Sequence, residues 1–267
     1  MSDDVLLWVT SFGPDMYAAS GRALLDSFVS RRPDGRLLAA VEGLEPASVV
    51  RPGVDVLSLD GDPFLVRFLA EQADVIPAHL GGRAPEPHCR CPGGPYGPHD
   101  RRHRLPCLGH WFCRNFSRWF RKVAALRLAV RVRPDAGLVV WVDADCRFRR
   151  HVDVATVRRS WFAGDRDVFY LKAGRPVMET GVVGYRGAGG RAVLERLVDR
   201  YRSGRFRSDP RWDDSYQTQE ALAESGRPAV DLAWKVGPHA AVVPYSALAA
   251  YLEHDKGRHG RRLGLMT

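Results

Sequence analysis

Residues 139–146 read VVWVDADC, an apolar run closed by two carboxylates one residue apart. Four consecutive apolar residues in mid-chain, after a Pro-Asp-Ala-Gly break at 134–137, predict a buried strand of a parallel sheet. In open α/β sheets ligands bind beyond the carboxyl ends of the strands, which is where Asp143 and Asp145 fall. Side chains alternate along a strand, so the two carboxylates are expected to point the same way, with small Ala144 between them. A doubly negative oxygen pair suits Mn²⁺ or Mg²⁺ and leaves coordination positions that a diphosphate can fill. The plain alternative is a turn-capping aspartate beside a solvated one. An Asp-x-Asp closing an apolar strand is far more specific than the tripeptide alone.

Working outward, Val5–Val9 is a second continuous apolar run, followed by the turn residues Thr10 to Pro14. Tyr17, Leu24, Leu25 and Phe28 then recur at helical spacing, with Gly21 on the same face. Leu37–Val41 and Val54–Leu59 read as further strands, so the chain begins a doubly wound sheet. Phe116, Trp119, Phe120, Val123, Leu126 and Val130 predict an amphipathic helix, its other face carrying Arg118, Arg121, Lys122, Arg127 and Arg131. Strands are expected at Val168–Leu171, Gly181–Tyr185 and Ala241–Tyr245. A helix bearing Val193, Leu194, Leu197, Val198 and Tyr201 lies between the last two, and the tail from about residue 252 reads as irregular. Residues 81–106 are dominated by proline, glycine and arginine and predict an insertion without regular structure.

At 267 residues, 45% hydrophobic and 27% charged, the chain has the composition of an ordinary globular α/β protein. No apolar run approaches the roughly 20 residues of a membrane span. The acidic N-terminus enters a strand directly, so no secretory signal is read and the cytoplasm is the expected location, that of the host if the chain is virus-encoded. Five cysteines, an odd number, argue against a disulfide framework. A net charge of +9 favours a polyanionic partner, although arginine scattered among alanine, glycine and valine is also how a GC-rich coding sequence reads. His88, Cys89, Cys91, His99, His103, Cys107, His110 and Cys113 crowd one segment and raise the possibility of Zn²⁺. Cys89-x-Cys91 lacks the usual zinc spacing, and an acceptor-binding loop is the stronger expectation. Cys146 is expected to be a buried packing residue.

The order of these parts resembles the GT-A fold glycosyltransferases, which use nucleotide sugars. VVWVDADC looks like their Asp-x-Asp strand, and VLLWVTSFG, residues 5–13, like their first strand. The resemblance implies Thr10, Ser11 and Phe12 near the base and ribose, with Ala144 and Gly181 also at the donor. WFRKVAALRLA resembles the helix that offers the donor a basic residue, here Arg121 or Lys122. METGVVGYR is similar to the small-residue strand lining the sugar pocket, where Glu179 and Thr180 could meet sugar hydroxyls. WDDSYQTQEAL looks like the acceptor-side segment. There Asp213 or Asp214 suits a catalytic base and Gln217 is a weaker donor contact, while Asp214 is equally readable as a helix N-cap. HDKG, residues 254–257, resembles the tail of glycogenin-like members, implying His254 as third metal ligand and Lys256 on the diphosphate, unless this basic tail is only solvated.

The expected fold class is therefore α/β. A single GT-A (Rossmann-like) domain would span residues 1–267, its mostly parallel central sheet flanked by helices. The insertion at 81–106 would border the acceptor groove, and a tail at about 252–267 would close the donor site. The expected activity is Mn²⁺- or Mg²⁺-dependent transfer from a UDP-sugar, of the UDP-glucose kind, to a hydroxyl. Arg101, Arg102, Arg104, Trp111, Arg114 and Arg118 interleave guanidinium and aromatic groups and suit nucleic acid as acceptor. The leading expectation is a hydroxymethylated pyrimidine in DNA, flipped out to reach the donor. A polysaccharide, lipid-linked or protein glycan is the runner-up acceptor. A non-enzymatic zinc-stabilised nucleic-acid binder is a third reading, and it leaves Asp143 and Asp145 unexplained. No obligate protein partner is readable.

Overall fold

A computed structural model describes residues 2–76, 83, 115–234 and 242–255. It is a mixed α/β arrangement around a seven-stranded sheet of order β3-β2-β1-β4-β7-β6-β8. The strands are β1 (Ser2–Phe12), β2 (Arg36–Val41), β3 (Val54–Ser58), β4 (Ala136–Val142), β6 (Val168–Leu171), β7 (Glu179–Arg186) and β8 (Ala229–Asp231). A separate two-stranded ribbon joins β5 (Cys146–Phe148) to β9 (Leu252–His254). Among the described strands of the main sheet only β7 runs against the others, pairing antiparallel with both β4 and β6. The winding is Rossmann-like: the chain starts at the centre, moves out to β3, and returns to place β4 beside β1. That reversal opens a crevice at the carboxyl ends of β1 and β4, the switch point where such sheets bind ligands.

Among the described residues five longer helices cover the sheet: α1 (Arg22–Arg31), α2 (Pro63–Glu71), α3 (Phe116–Val132), α4 (Gly187–Arg202) and α5 (Asp214–Ser225). Strand alternation sends Trp8 and Val140 to one core, beneath α1, with Leu25, Phe28 and Trp161. Leu7, Val9, Val139 and Trp141 go to the other, beneath α2 to α5. Both faces are buried, which is why these strands read as unbroken apolar runs. In the second core Phe68 of α2 stacks on Phe120 of α3 at 3.5 Å between ring centroids, with Phe116, Tyr201 and Phe206 around them.

Two expectations are corrected. The described part of the expected strand at Ala241–Tyr245 holds a 3₁₀ turn, Val243–Tyr245, whose Pro244 cannot donate to a sheet ladder. The tail is not irregular from residue 252, because Leu252–His254 pairs antiparallel with β5. The insertion at 81–106 lies outside the described residues except for Arg83. No described helix is long and apolar enough to cross a membrane.

Phe68→Ala should lower stability by about 3–5 kcal/mol, as buried aromatic truncations do. Val66→Ala, exposed on the same helix, should stay within about 0.5 kcal/mol of wild type. Urea unfolding midpoints of the two variants check this.

Candidate active site

β4 ends at Val142 and the chain turns at once. Asp143 N–H donates to Gly181 O on β7 at 2.8 Å, and Cys146 N–H donates back to Asp143 O at 2.9 Å. Asp143 and Asp145 are thus joined by a tight turn rather than by the strand pleat expected from their spacing. The turn delivers the chain into β5, where Cys146 pairs with His254 of β9. His254 Nε2 lies 3.0 Å from Asp145 Oδ1 and 4.0 Å from Asp143 Oδ2. The imidazole is buried at 2% exposure, whereas the carboxylates keep 36% (Asp143) and 23% (Asp145). Gly181 makes room for this ring, since a Cβ there would stand 2.5 Å from His254 Cε1.

Behind the pair lies a buried ammonium. Lys122 Nζ of α3 sits 2.7 Å from Asp214 Oδ2 and 3.6 Å from Asp143 Oδ1, donates to Thr180 O, and stands 4.9 Å over the Trp141 ring. Thr180 Oγ1 donates to Asp214 Oδ2 at 2.6 Å. Burial alone would pull the lysine pKa down, but Asp214 and Asp143 outweigh it and hold the ammonium above the ordinary lysine value. At Asp143 burial raises the carboxyl above the usual range; Lys122 opposes this and Asp145 adds to it. Burial likewise raises Asp213, against its two hydrogen bonds of 2.8 Å from Arg211.

These groups line a cleft of about 670 Å³ at the switch point. Ser11, Arg118, Lys122, Asp143, Ala144, Asp145, Glu179, Asp213 and Asp214 are on its wall, as is Thr180. Other expected residues are elsewhere. Thr10 is fully buried, Phe12 is buried and stacked on Tyr17 at 5.3 Å, and Gly181 lies under His254. Arg121 is held by both carboxylate oxygens of Glu42, so of the adjacent pair Arg121 and Lys122 it is Lys122 that meets the cleft. Gln217 is buried away from the cleft wall, accepting from Arg200 Nε at 2.9 Å and donating to Asp209 and the Arg211 carbonyl. The helix cap is Asp213, which accepts from Tyr216 N–H at 3.4 Å, and not Asp214. Lys256, Arg101, Arg102, Arg104, Trp111, Arg114 and the cysteine–histidine cluster of 88–113 lie outside the described residues.

The cleft also holds residues that the sequence reading passed over: Trp141, Arg175, Met178, Arg211 and Ser215. Trp141 had a signal in the sequence, being two residues before Asp143 and on the same strand face. Arg175 and Met178 sit in a loop without periodicity, and nothing local marks them.

Two carboxylates and one imidazole are a reasonable donor set for Mn²⁺ or Mg²⁺. The 3.0 Å between His254 and Asp145 matches adjacent ligands of an octahedral ion with bonds of about 2.1 Å. Cys146 Sγ comes within 4.8 Å of the Asp145 and His254 ligand atoms, but it is fully buried. Burial first, then Asp145 and Asp143, pushes its thiol well above the ordinary value, consistent with packing rather than ligation.

No protein-family model matches the chain. Comparison with curated proteins likewise gives no match.

Gly181→Ala should displace the His254 ring from Asp145, so that Mn²⁺, were it held by this cluster, would bind about 10- to 100-fold more weakly in a calorimetric titration. A second expectation concerns alkaline pH. Lys122, Tyr185 and Tyr201 all hold their protons more tightly than ordinary side chains, the two phenols through burial. A raised folded pKa gives stability that is intact below the unfolded value, near 10, and is lost as pH climbs toward the folded one. Urea midpoints should be insensitive to these groups below about pH 9.5 and should fall above about pH 10.

Proposed function

We propose that this chain is a GT-A fold glycosyltransferase. It moves a sugar from a nucleoside-diphosphate sugar of the UDP-glucose kind to an acceptor hydroxyl. The observation that carries this reading is that Asp143 and Asp145 line the switch-point cleft in front of buried Lys122, with the buried His254 imidazole 3.0 Å from Asp145 and 4.0 Å from Asp143. The two carboxylates and the imidazole hold Mn²⁺ or Mg²⁺. When bound, the cation neutralises the diphosphate and makes it a better leaving group.

The remaining chemistry belongs to the chain's own side chains. Ser11, at the end of β1, faces the nucleoside. Lys122 keeps positive charge beside the carboxylates while the anionic donor enters. Glu179 and the Thr180–Ser215 hydroxyl pair, 2.8 Å apart, meet the sugar hydroxyls. The acceptor oxygen bonds to the anomeric carbon as the bond from that carbon to the diphosphate breaks. The acceptor proton passes to a carboxylate of the Asp213–Asp214 segment.

The acceptor we favour is a hydroxymethylated pyrimidine of DNA. Supporting it are the net charge of +9, the arginine-rich stretch leading into α3, and Arg118 and Trp119 on the cleft wall. Glycan acceptors fit the same donor site and are separated from DNA by experiment. A purely nucleic-acid-binding role gives no reason for paired carboxylates, backed by a buried imidazole, on the wall of a cleft of this size.

The test is Mn²⁺-dependent transfer of labelled glucose from UDP-glucose to matched duplexes carrying cytosine, 5-methylcytosine, 5-hydroxymethylcytosine or 5-hydroxymethyluracil. Label is expected on the hydroxymethylated duplexes alone, reduced about 100- to 1,000-fold by Asp143→Asn. Metal-dependent hydrolysis of UDP-sugar with no label on any DNA would keep the reaction type and move the acceptor to glycans. Neither transfer nor hydrolysis with any nucleotide sugar would overturn the reading.

A further inference from the structure

The two oxygens of Asp143 face different partners. Oδ1 accepts the indole N–H of Trp141 at 2.6 Å and stands 3.6 Å from Lys122 Nζ. Oδ2 faces His254 Nε2 at 4.0 Å, above the bare Cα of Gly181. Trp141 is buried in the core beneath α3, with its ring under the Lys122 ammonium, so the indole has little freedom to follow a rotating carboxylate.

From this geometry we propose that Trp141 is a positioning residue that makes Asp143 a one-oxygen ligand, and that it thereby sets which size of divalent cation the site accepts. The inference rests on the reading of Asp143 as a metal ligand. Ca²⁺ takes six to eight oxygens at about 2.3–2.6 Å and commonly uses both oxygens of a carboxylate. Mg²⁺ requires six ligands in near-ideal octahedral geometry at about 2.0–2.1 Å, and one oxygen per carboxylate satisfies it. With Oδ1 committed to the indole and the ammonium, Asp143 presents only Oδ2. The site therefore favours the small octahedral ions. Removing the indole N–H frees the carboxylate to turn and to ligate through both oxygens.

The experiment uses the full chain and Mn²⁺ alone. Free Mn²⁺ is followed by its paramagnetic resonance signal, with Ca²⁺ as competitor, in wild type, Trp141→Phe and Asp143→Asn. Trp141→Phe is expected to weaken Mn²⁺ about 10- to 100-fold, the range of outer-shell ligand substitutions, and to narrow the preference for Mn²⁺ over Ca²⁺ by a similar factor. Asp143→Asn is expected to abolish saturable binding. If Trp141→Phe leaves both affinity and preference within about twofold of wild type while Asp143→Asn loses binding, the positioning role is wrong and the metal site stands. If wild type shows no saturable Mn²⁺ binding, or Asp143→Asn binds as wild type does, the metal reading itself fails and takes this inference with it.

A wild-type measurement covers the case in which Trp141→Phe does not fold. Among the indole N–H resonances of the seven tryptophans, one should shift on adding Mg²⁺ and broaden with trace Mn²⁺. If none responds, the inference is overturned.

Discussion

The ammonium of Lys122 is the charge on which this structure converges. It rises from α3, and around it close Asp143 after β4, the Thr180 carbonyl of β7 and Asp214 at the first turn of α5. Four elements from separate parts of the chain are fixed by one buried cation. Such a group is costly to bury and more costly to leave unpaired, by about 3–5 kcal/mol when one partner is lost. The arrangement therefore admits little adjustment. The spacing between the β4 turn and the α5 N-terminus, which bounds the cleft, is set by the reach of a single lysine.

Strand β7 shows how small residues serve such a centre. Its sequence ETGVVGYR places Gly181 against the His254 ring, whereas Gly184 lies against Phe169, whose ring atom would stand 2.0 Å from an added Cβ. One glycine opens space for the polar site and the other for the apolar core. Both are read locally as a flexible, small-residue strand. The reason for each is a neighbour distant in sequence.

That contrast marks what was legible in advance. Strands buried on both faces advertise themselves as apolar runs, so β1, β2, β4 and β6 are legible that way, as is the helical stripe of Phe116, Phe120 and Val123. The direction of β7 is not, since pairing sense leaves no mark in composition. The three-residue β9 is invisible without β5 beside it. Asp143 and Asp145 were legible as a pair, but the turn that joins them and the His254 ring opposite depend on tertiary hydrogen bonds. Arg121 and Lys122 illustrate the limit within one helix. Adjacent residues lie about 100° apart around an α-helix, and both sat on the polar side of the stripe. Only the positions of Glu42 and Asp214 separate a surface tie from a buried centre. Asp213 and Asp214 exchange cap and ion-pair roles for the same reason, one residue of helix phase.

The β5–β9 ribbon has a consequence for how the molecule comes into being. His254 reaches Asp145 only after the polypeptide has traversed nearly the whole sheet, and the pairing that carries it is three residues long. Closing so distant a contact costs loop entropy that few local bonds offset. The sheet can therefore acquire its shape during synthesis while the carboxylates still lack their imidazole. A nascent chain halted before residue 254 would hold every strand of the main sheet while Asp145 still lacked the imidazole that stands 3.0 Å from it.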